Sequence, residues 1–192
     1  MDSLKRIDLL KGWLSKNLEI NFSISAASSD ASFRRYFRVK TVEDSLIVMD
    51  APPQNESIKA FLKINQILNS INVNVPDIYE EDESLGFILM QDFGSDTYLD
   101  VLNDDNQQGL YSESIESLIQ MQELVKKDLC QSYTQQILFD EMYLFIEWYI
   151  KKYKKIGLTN KENEMLLTCF EKISKKVLSQ EKFFVHRDYH SR

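Results

Sequence analysis

Phe183-Phe184-Val185-His186-Arg187-Asp188-Tyr189-His190-Ser191-Arg192 is the last stretch of the sequence and holds both of its histidines. An apolar run leads directly into imidazole, guanidinium, carboxylate and phenol groups. Two plain readings compete for it. His186 and His190 are four residues apart, so on a helix their imidazoles would share a face and could bind zinc. Cys130 and Cys169 are distant and form no C-x-x-C pair, so further zinc ligands are lacking. Alternatively, Phe183 to His186 is a buried strand that ends in polar residues, with Asp188 as a helix N-cap. That accounts for the polarity but not for the joint occurrence of His186, Asp188 and His190.

The chain has 192 residues, 43% of them hydrophobic and 28% charged, enough for a sizeable core in one or two compact units. A net charge of −7 argues against a phosphate-backbone partner such as DNA or RNA and favours a small-molecule ligand. Asp2, Lys5, Arg6, Asp8, Lys11, Lys16 and Glu19 interrupt the first twenty residues, which leaves no secretory or membrane-spanning run there. The expected location is the cytoplasm, with no membrane partner. Two separated cysteines fit a reducing compartment, where they are expected to serve as small core hydrophobes.

Leu4, Ile7, Leu10, Leu14 and Leu18 recur at helical spacing after Asp2 and Ser3, which predicts an amphipathic helix covering a sheet. The period shortens to two over Phe22 to Ser25 and over Phe33 to Val39, where Phe33, Phe37 and Val39 alternate with Arg34, Tyr36 and Arg38. The small residues Ala26 to Ser32 read as the connecting hairpin. Leu46 to Met49 is a third strand, stopped by Pro52-Pro53. A helix with Ile58, Phe61, Leu62, Asn65 and Leu68 on one face follows. Val73 to Tyr79 and Gly86 to Met90 then read as strands flanking the acidic turn Glu80 to Ser84. Beyond Thr97 the pattern is helical, over Tyr111 to Val125, Phe139 to Tyr153 and Asn163 to Leu178. The fold class is α+β, a β-rich first half followed by a helical second half.

With that order of elements, His186-Arg187-Asp188 reads as an H-x-D catalytic loop, in which the Asp accepts the proton of an acceptor hydroxyl and an Asn after four more residues holds a metal ion. The chain resembles the aminoglycoside phosphotransferase family from end to end. It is most similar to the bacterial branch that phosphorylates N-acetylmuramate and N-acetylglucosamine at the anomeric hydroxyl in cell-wall recycling. The resemblance is carried by Asp30-Ala31-Ser32-Phe33-Arg34-Arg35-Tyr36-Phe37-Arg38, Ile47-Val48-Met49-Asp50-Ala51-Pro52-Pro53, Thr97-Tyr98-Leu99-Asp100-Val101-Leu102, Glu147-Trp148-Tyr149 and the loop from His186 to Arg192. It implies a protein-kinase-like two-lobed fold: residues 1–94 as an N-lobe ending in a hinge, and 95–192 as a partial helical C-lobe ending in the catalytic loop. It also implies ATP and Mg²⁺, with a nucleotide and an amino sugar as the small-molecule partners. The metal-binding Asn falls due immediately after Arg192 and the metal-binding Asp later still, so a C-terminally truncated chain is expected and no metal ligand is assigned within it.

In this reading Asp188 is the catalytic carboxylate, His186 holds the loop and His190 supports the acceptor side. Ser29 and Ser32, in a hairpin without glycine, are expected over the nucleotide phosphates, with a plain solvated turn as the alternative. Asp50 falls where related kinases place a phosphate-binding cation. Arg34, Arg35 or Arg38 is then expected to supply that charge, or Asp50 to pair with one of them or with a lysine of the following helix. Asp92-Phe93-Gly94 spells the kinase metal tripeptide but precedes the catalytic loop. Gln91, Asp92 and Phe93 are instead expected to meet the adenine through backbone groups, with Gly94 turning the chain. Glu147 and Trp148 are expected at the acceptor sugar, Trp148 by stacking on a sugar face, although helically spaced aromatics also suit a lobe core. Two alternatives stay open: a different acceptor (an aminoglycoside, choline or homoserine), or a non-catalytic nucleotide-binding module.

Overall fold

A computed structural model describes residues 3–28, 33–124 and 129–191. These residues fall into two compact units, one running to Met121 and taking in the residues from Asp188, the other spanning Gln122–Arg187. The first unit is built on a five-stranded antiparallel sheet, which together with its helices makes the fold α+β. In chain order come α1 (Ser3–Leu18), β1 (Ser23–Ser28), β2 (Arg35–Lys40), β3 (Ser45–Asp50), α2 (Lys59–Ser70), β4 (Ile78–Asp82), β5 (Phe87–Gln91), α3 (Tyr98–Val101) and α4 (Gln107–Leu124). The strands lie in the order β1-β2-β3-β5-β4, so β5 enters between β3 and β4.

The side-chain period of two sorts the sheet into two cores. Val39, Val48, Phe87 and Leu89 pack against Leu10, Trp13 and Leu14 of α1. On the other face Met49, Ala51, Ile88 and Met90 pack with Ile58 and with Phe61 and Leu62 of α2. This explains why β5 reads as an unbroken apolar run: Phe87 to Met90 are all buried because both faces of the strand are covered. Asn65, which shares the apolar stripe of α2, donates its side-chain N–H to the Pro76 carbonyl at 2.8 Å and so secures the segment that enters β4.

Several expected boundaries shift. Ala26, Ala27 and Ser28 belong to β1 and not to a hairpin, and the rest of that connection, with Ser29 and Ser32, lies outside the described residues. Phe33 precedes β2 and is exposed, because the pairing of β2 with β3 begins only at Arg35 opposite Asp50. The strand expected from Val73 begins at Ile78, since Asn72 takes a left-handed φ of 59° and Pro76 lacks the N–H a ladder needs. Phe183 to Val185 form no strand, and Phe183 and Val185 are half-exposed.

The second unit holds α5 (Gln135–Leu144), a π-helical continuation over Phe145–Tyr153, and α6 (Asn160–Leu178). Thr134 caps α5 by accepting from Ile137 N, and Thr159 and Glu162 form a reciprocal capping box on α6. Phe139 meets Phe170 edge to face at 6.3 Å, and Ile146 of the π-helical segment is buried. A single α-helix over Phe139 to Tyr153 was the expectation from periodicity. The wider i→i+5 turn instead sets residues four apart nearly above one another. Phe145, Tyr149 and Tyr153 accordingly stack at 5.3 and 5.8 Å with rings tilted by only 17° and 26°. Neither cysteine is core: Cys169 is exposed on α6 and Cys130 only partly covered.

Candidate functional site

The three arginines of Arg34 to Arg38 have different surroundings, although the sequence offers them as equivalents. Arg35 shares the α1 face with Phe37 and Val39, and its Nε and Nη2 donate to Asp50 Oδ2 at 3.1 and 2.5 Å. Asp50 is completely buried, and its Oδ1 accepts from Arg6 Nε of α1 at 2.8 Å. Arg6 also donates to the Leu85 carbonyl at 2.5 Å and lies 4.5 Å from the centre of the Phe87 ring. Asp50 therefore does not replace a phosphate-binding cation; it is a buried anion clamped by two arginines on the α1 face, consistent with the expected pairing to an arginine of the neighbouring strand.

Arg38, on the opposite face, is held by Asp92 just past the end of β5. Its Nε donates to Asp92 Oδ2 at 2.6 Å, and its Nη2 donates to Oδ1 at 3.1 Å and to the Gly94 carbonyl at 2.8 Å. The Ser45 hydroxyl and the Gly94 N–H complete the carboxylate's shell at 2.5 and 2.9 Å. The Arg38 hydrogen bonds, with help from Ser45 and Gly94 N, pull the Asp92 carboxyl down to about 2 despite the opposing effect of burial. Gln91 pairs its backbone N–H with Asp77 O at 2.9 Å, Phe93 is exposed, and Gly94 turns with φ 89°. The carboxylate of Asp92 is thus fully engaged in fixing the strand exit.

Arg34 precedes β2 on the same face as Arg38. Its guanidinium forms an ion pair with Glu56 and lies 5.8 Å from the Phe61 ring of α2. Burial pulls its pKa down, but hydrogen bonds with Glu56 and Tyr36 outweigh this and raise it above the ordinary arginine value. Glu56 was not singled out in the sequence; its place three residues after Pro53 was the available signal.

The loop of the last residues is built from backbone geometry as well as side chains. Arg187 adopts φ 77°, a left-handed conformation that costs a β-carbon-bearing residue energy and occurs where surroundings enforce it. Within the second unit Arg187 donates to Tyr133 Oη at 3.0 Å and to Glu141 Oε1 at 3.1 Å. Within the first, Tyr189 Oη donates to the Ser114 carbonyl of α4 at 2.7 Å, and Leu99 N of α3 donates to the Ser191 carbonyl at 2.9 Å. The start of α3 is fixed in turn by Asp100, which accepts from Thr97 N and Oγ1 at 2.8 and 2.7 Å. Asp188 is thereby presented to solvent, its side chain 84% exposed, with His190 Nε2 3.4 Å from its Oδ1. Arg187 and Tyr189 are the loop's anchors and were passed over in the sequence, where nothing distinguishes them from ordinary loop polarity.

Glu147 and Trp148 lie in the π-helical segment of the second unit. Glu147 pairs with Lys151 at 2.5 Å, and the Lys152 ammonium sits 3.5 Å from the centre of the exposed Trp148 ring. Among the described residues no three His, Cys, Asp or Glu side chains converge to hold a metal ion, so the Asp188–His190 pair does not by itself fit a magnesium or zinc site. No helix among them is long and apolar enough to cross a membrane.

An antiparallel sheet covered by α1 and α2, followed by helices and a tethered H-x-D loop that displays a carboxylate, defines a kinase-like α+β fold. The chain belongs to the phosphotransferase enzyme family (APH), whose pattern matches residues 23–192. It is 37% identical over 195 residues to a protein of Pseudomonas putida named N-acetylmuramate/N-acetylglucosamine kinase, an alignment covering 96% of this chain and 58% of that one. A protein of the same name from Neisseria meningitidis serogroup B is 32% identical, over 94% of this chain and 55% of its own length. The chain thus spans a little over half the length of these relatives. A crystal structure from Ralstonia eutropha, carrying the name aminoglycoside phosphotransferase, shares the fold with a TM-score of 0.52 at 16% identity, over 74% of this chain and 48% of that one.

Proposed function

We propose that the whole protein transfers the γ-phosphoryl group of ATP, used with Mg²⁺, to the anomeric hydroxyl of N-acetylmuramate or N-acetylglucosamine in the cytoplasm. The observation that carries this reading is the exposed Asp188 carboxylate, held by the anchored loop with His190 beside it. The names of the Pseudomonas and Neisseria relatives favour the amino sugar as acceptor. In the proposed reaction Asp188 accepts a hydrogen bond from the sugar hydroxyl and orients its oxygen in line with the γ-phosphorus. A bond forms between that oxygen and phosphorus, the bond from phosphorus to the β,γ-bridging oxygen breaks, and ADP leaves. Asp188 takes the hydroxyl proton late in the step. His190 steadies the carboxylate and His186 holds the loop.

Residues 1–94 are proposed as the nucleotide lobe and 95–192 as part of the acceptor lobe. Gln91, Asp92 and Phe93 would offer backbone groups to the adenine, and Ser29 and Ser32 would meet the phosphates. Glu147 and Trp148 would face the sugar once Lys152 swings off the indole. Phosphorus NMR of the product made by the full-length protein tests the proposal. Phosphate on C1 of the amino sugar is expected; phosphate on C6, or transfer to aminoglycosides and not to amino sugars, would overturn it.

A further inference from the structure

We infer that Arg34, rather than Arg35 or Arg38, is the cation that meets the nucleotide phosphates, and that Glu56 is the carboxylate that holds it ready. The inference rests on the phosphotransferase reading and deepens it. A triphosphate needs a neutralising cation, and an arginine fork suits phosphate oxygens because it can donate two parallel hydrogen bonds. The three candidates differ in what would be left behind if the guanidinium turned to a ligand.

Arg35 pairs with Asp50, whose side chain is 0% exposed, and it points to the face covered by α1. Turning Arg35 away would remove one of the two cations that compensate a carboxylate sealed from water, which is strongly unfavourable. Arg38 pairs with Asp92, 5% exposed, through two hydrogen bonds and also holds the Gly94 carbonyl, so its release would undo the exit of β5. Arg34 is the exception. Glu56 is 30% exposed, so water can take over the carboxylate's solvation when the guanidinium shifts, and the pair is cheap to rearrange.

Position agrees with chemistry. Arg34 follows the connection between β1 and β2 and lies on the α2 face, shared with Tyr36, Ile47, Met49 and Met90, the last of which runs into Gln91 and Asp92. The Phe61 ring beneath the guanidinium and the Tyr36 hydrogen bond restrict its swing while a quarter of the side chain stays exposed. Glu56 therefore orients the fork in the absence of nucleotide, and phosphate oxygens share or displace that contact when nucleotide arrives.

The test compares Arg34→Ala, Arg34→Lys and Glu56→Gln in the full-length protein by calorimetric titration with ATP and, separately, with adenosine. Arg34→Ala should weaken ATP binding by about ten- to a hundredfold while leaving adenosine affinity unchanged. Arg34→Lys should recover part of the loss, and Glu56→Gln should weaken ATP by less than Arg34→Ala. A purely structural role would lower both affinities together, and that result, or ATP affinity held within about twofold in Arg34→Ala, would overturn the inference while leaving the phosphotransferase reading in place. Failure of the unmodified protein to bind ATP at all would overturn that reading and the inference with it.

Discussion

Arg6 and Asp50, forty-four residues apart, meet at 2.8 Å where α1 lies on the sheet, and both are buried. A buried ion pair adds little over a well-packed apolar pair, but removing one partner strands the other charge away from water. Asp50→Ala should therefore lower stability by about 3–5 kcal/mol, because it strands Arg6 and removes the anchor of Arg35. Urea melts of the two proteins give the difference directly; a loss below about 1 kcal/mol would show that water reaches Arg6 and that the pair does not hold α1.

Asp92 predicts a pH dependence with a definite sign. Its carboxyl falls from 3.8 to about 2 in the folded protein, chiefly through the hydrogen bonds from Arg38. A depressed folded pKa gives stability that is fully present above the unfolded value and is lost as pH falls through the folded one. The contribution is on the order of 2 kcal/mol. Asp92→Asn keeps the shape and removes the charge, so the stability gap between the two proteins should be widest above pH of about 4 and narrow toward pH of about 2. Denaturation midpoints across that range would show it, and a gap independent of pH would mean the pair carries no such linkage.

Gly86 closes the turn from β4 into β5 with φ 71°, and its carbonyl accepts from Ala51 N at 2.8 Å. A β-carbon there would lie 1.9 Å from the Ala51 carbonyl oxygen, a backbone atom that cannot move aside without disturbing the end of β3. Gly86→Ala should destabilise by more than about 1 kcal/mol, since both the left-handed backbone and the collision oppose it. At Gly94, also left-handed, open space surrounds the β-carbon position, so Gly94→Ala should cost only the backbone term and less in the same melt.

Alternation and helical spacing reveal elements whose one face is buried, which is why α1, β2, β3, α2 and β5 were legible from Leu10, Phe37, Val48, Phe61 and Leu89. The π-helical turn was not legible, because Phe145, Tyr149 and Tyr153 suit an α-helix equally well by spacing and differ only in how their rings stack. At the site, Asp188 and His190 could be read as a local motif, and the structure brings them together at 3.4 Å. The pairing of Asp50 with an arginine of the neighbouring strand was legible too, but its second partner and the partners of Asp92 and Arg34 were not. Arg6, Arg38 and Glu56 lie 44, 54 and 22 residues from them, and only the packing of α1, the exit of β5 and the segment before α2 against the sheet brings each pair together.

Asp188→Asn gives the sharpest test of the proposed chemistry in the full-length protein. The amide preserves shape and can still meet the sugar hydroxyl, but it cannot take the proton as the phosphorus–oxygen bond forms. An interaction made mainly in the transition state lowers kcat and kcat/KM together and leaves ground-state binding nearly unchanged. The expected loss in kcat is about a hundred- to ten-thousandfold, with the sugar KM altered by less than about threefold. His190→Ala, which removes only the imidazole 3.4 Å from the carboxylate, should cost less than Asp188→Asn. Steady-state assays with ATP and N-acetylmuramate give all three values. A rise in sugar KM with kcat unchanged would make Asp188 a binding residue and would move the search for the proton acceptor elsewhere.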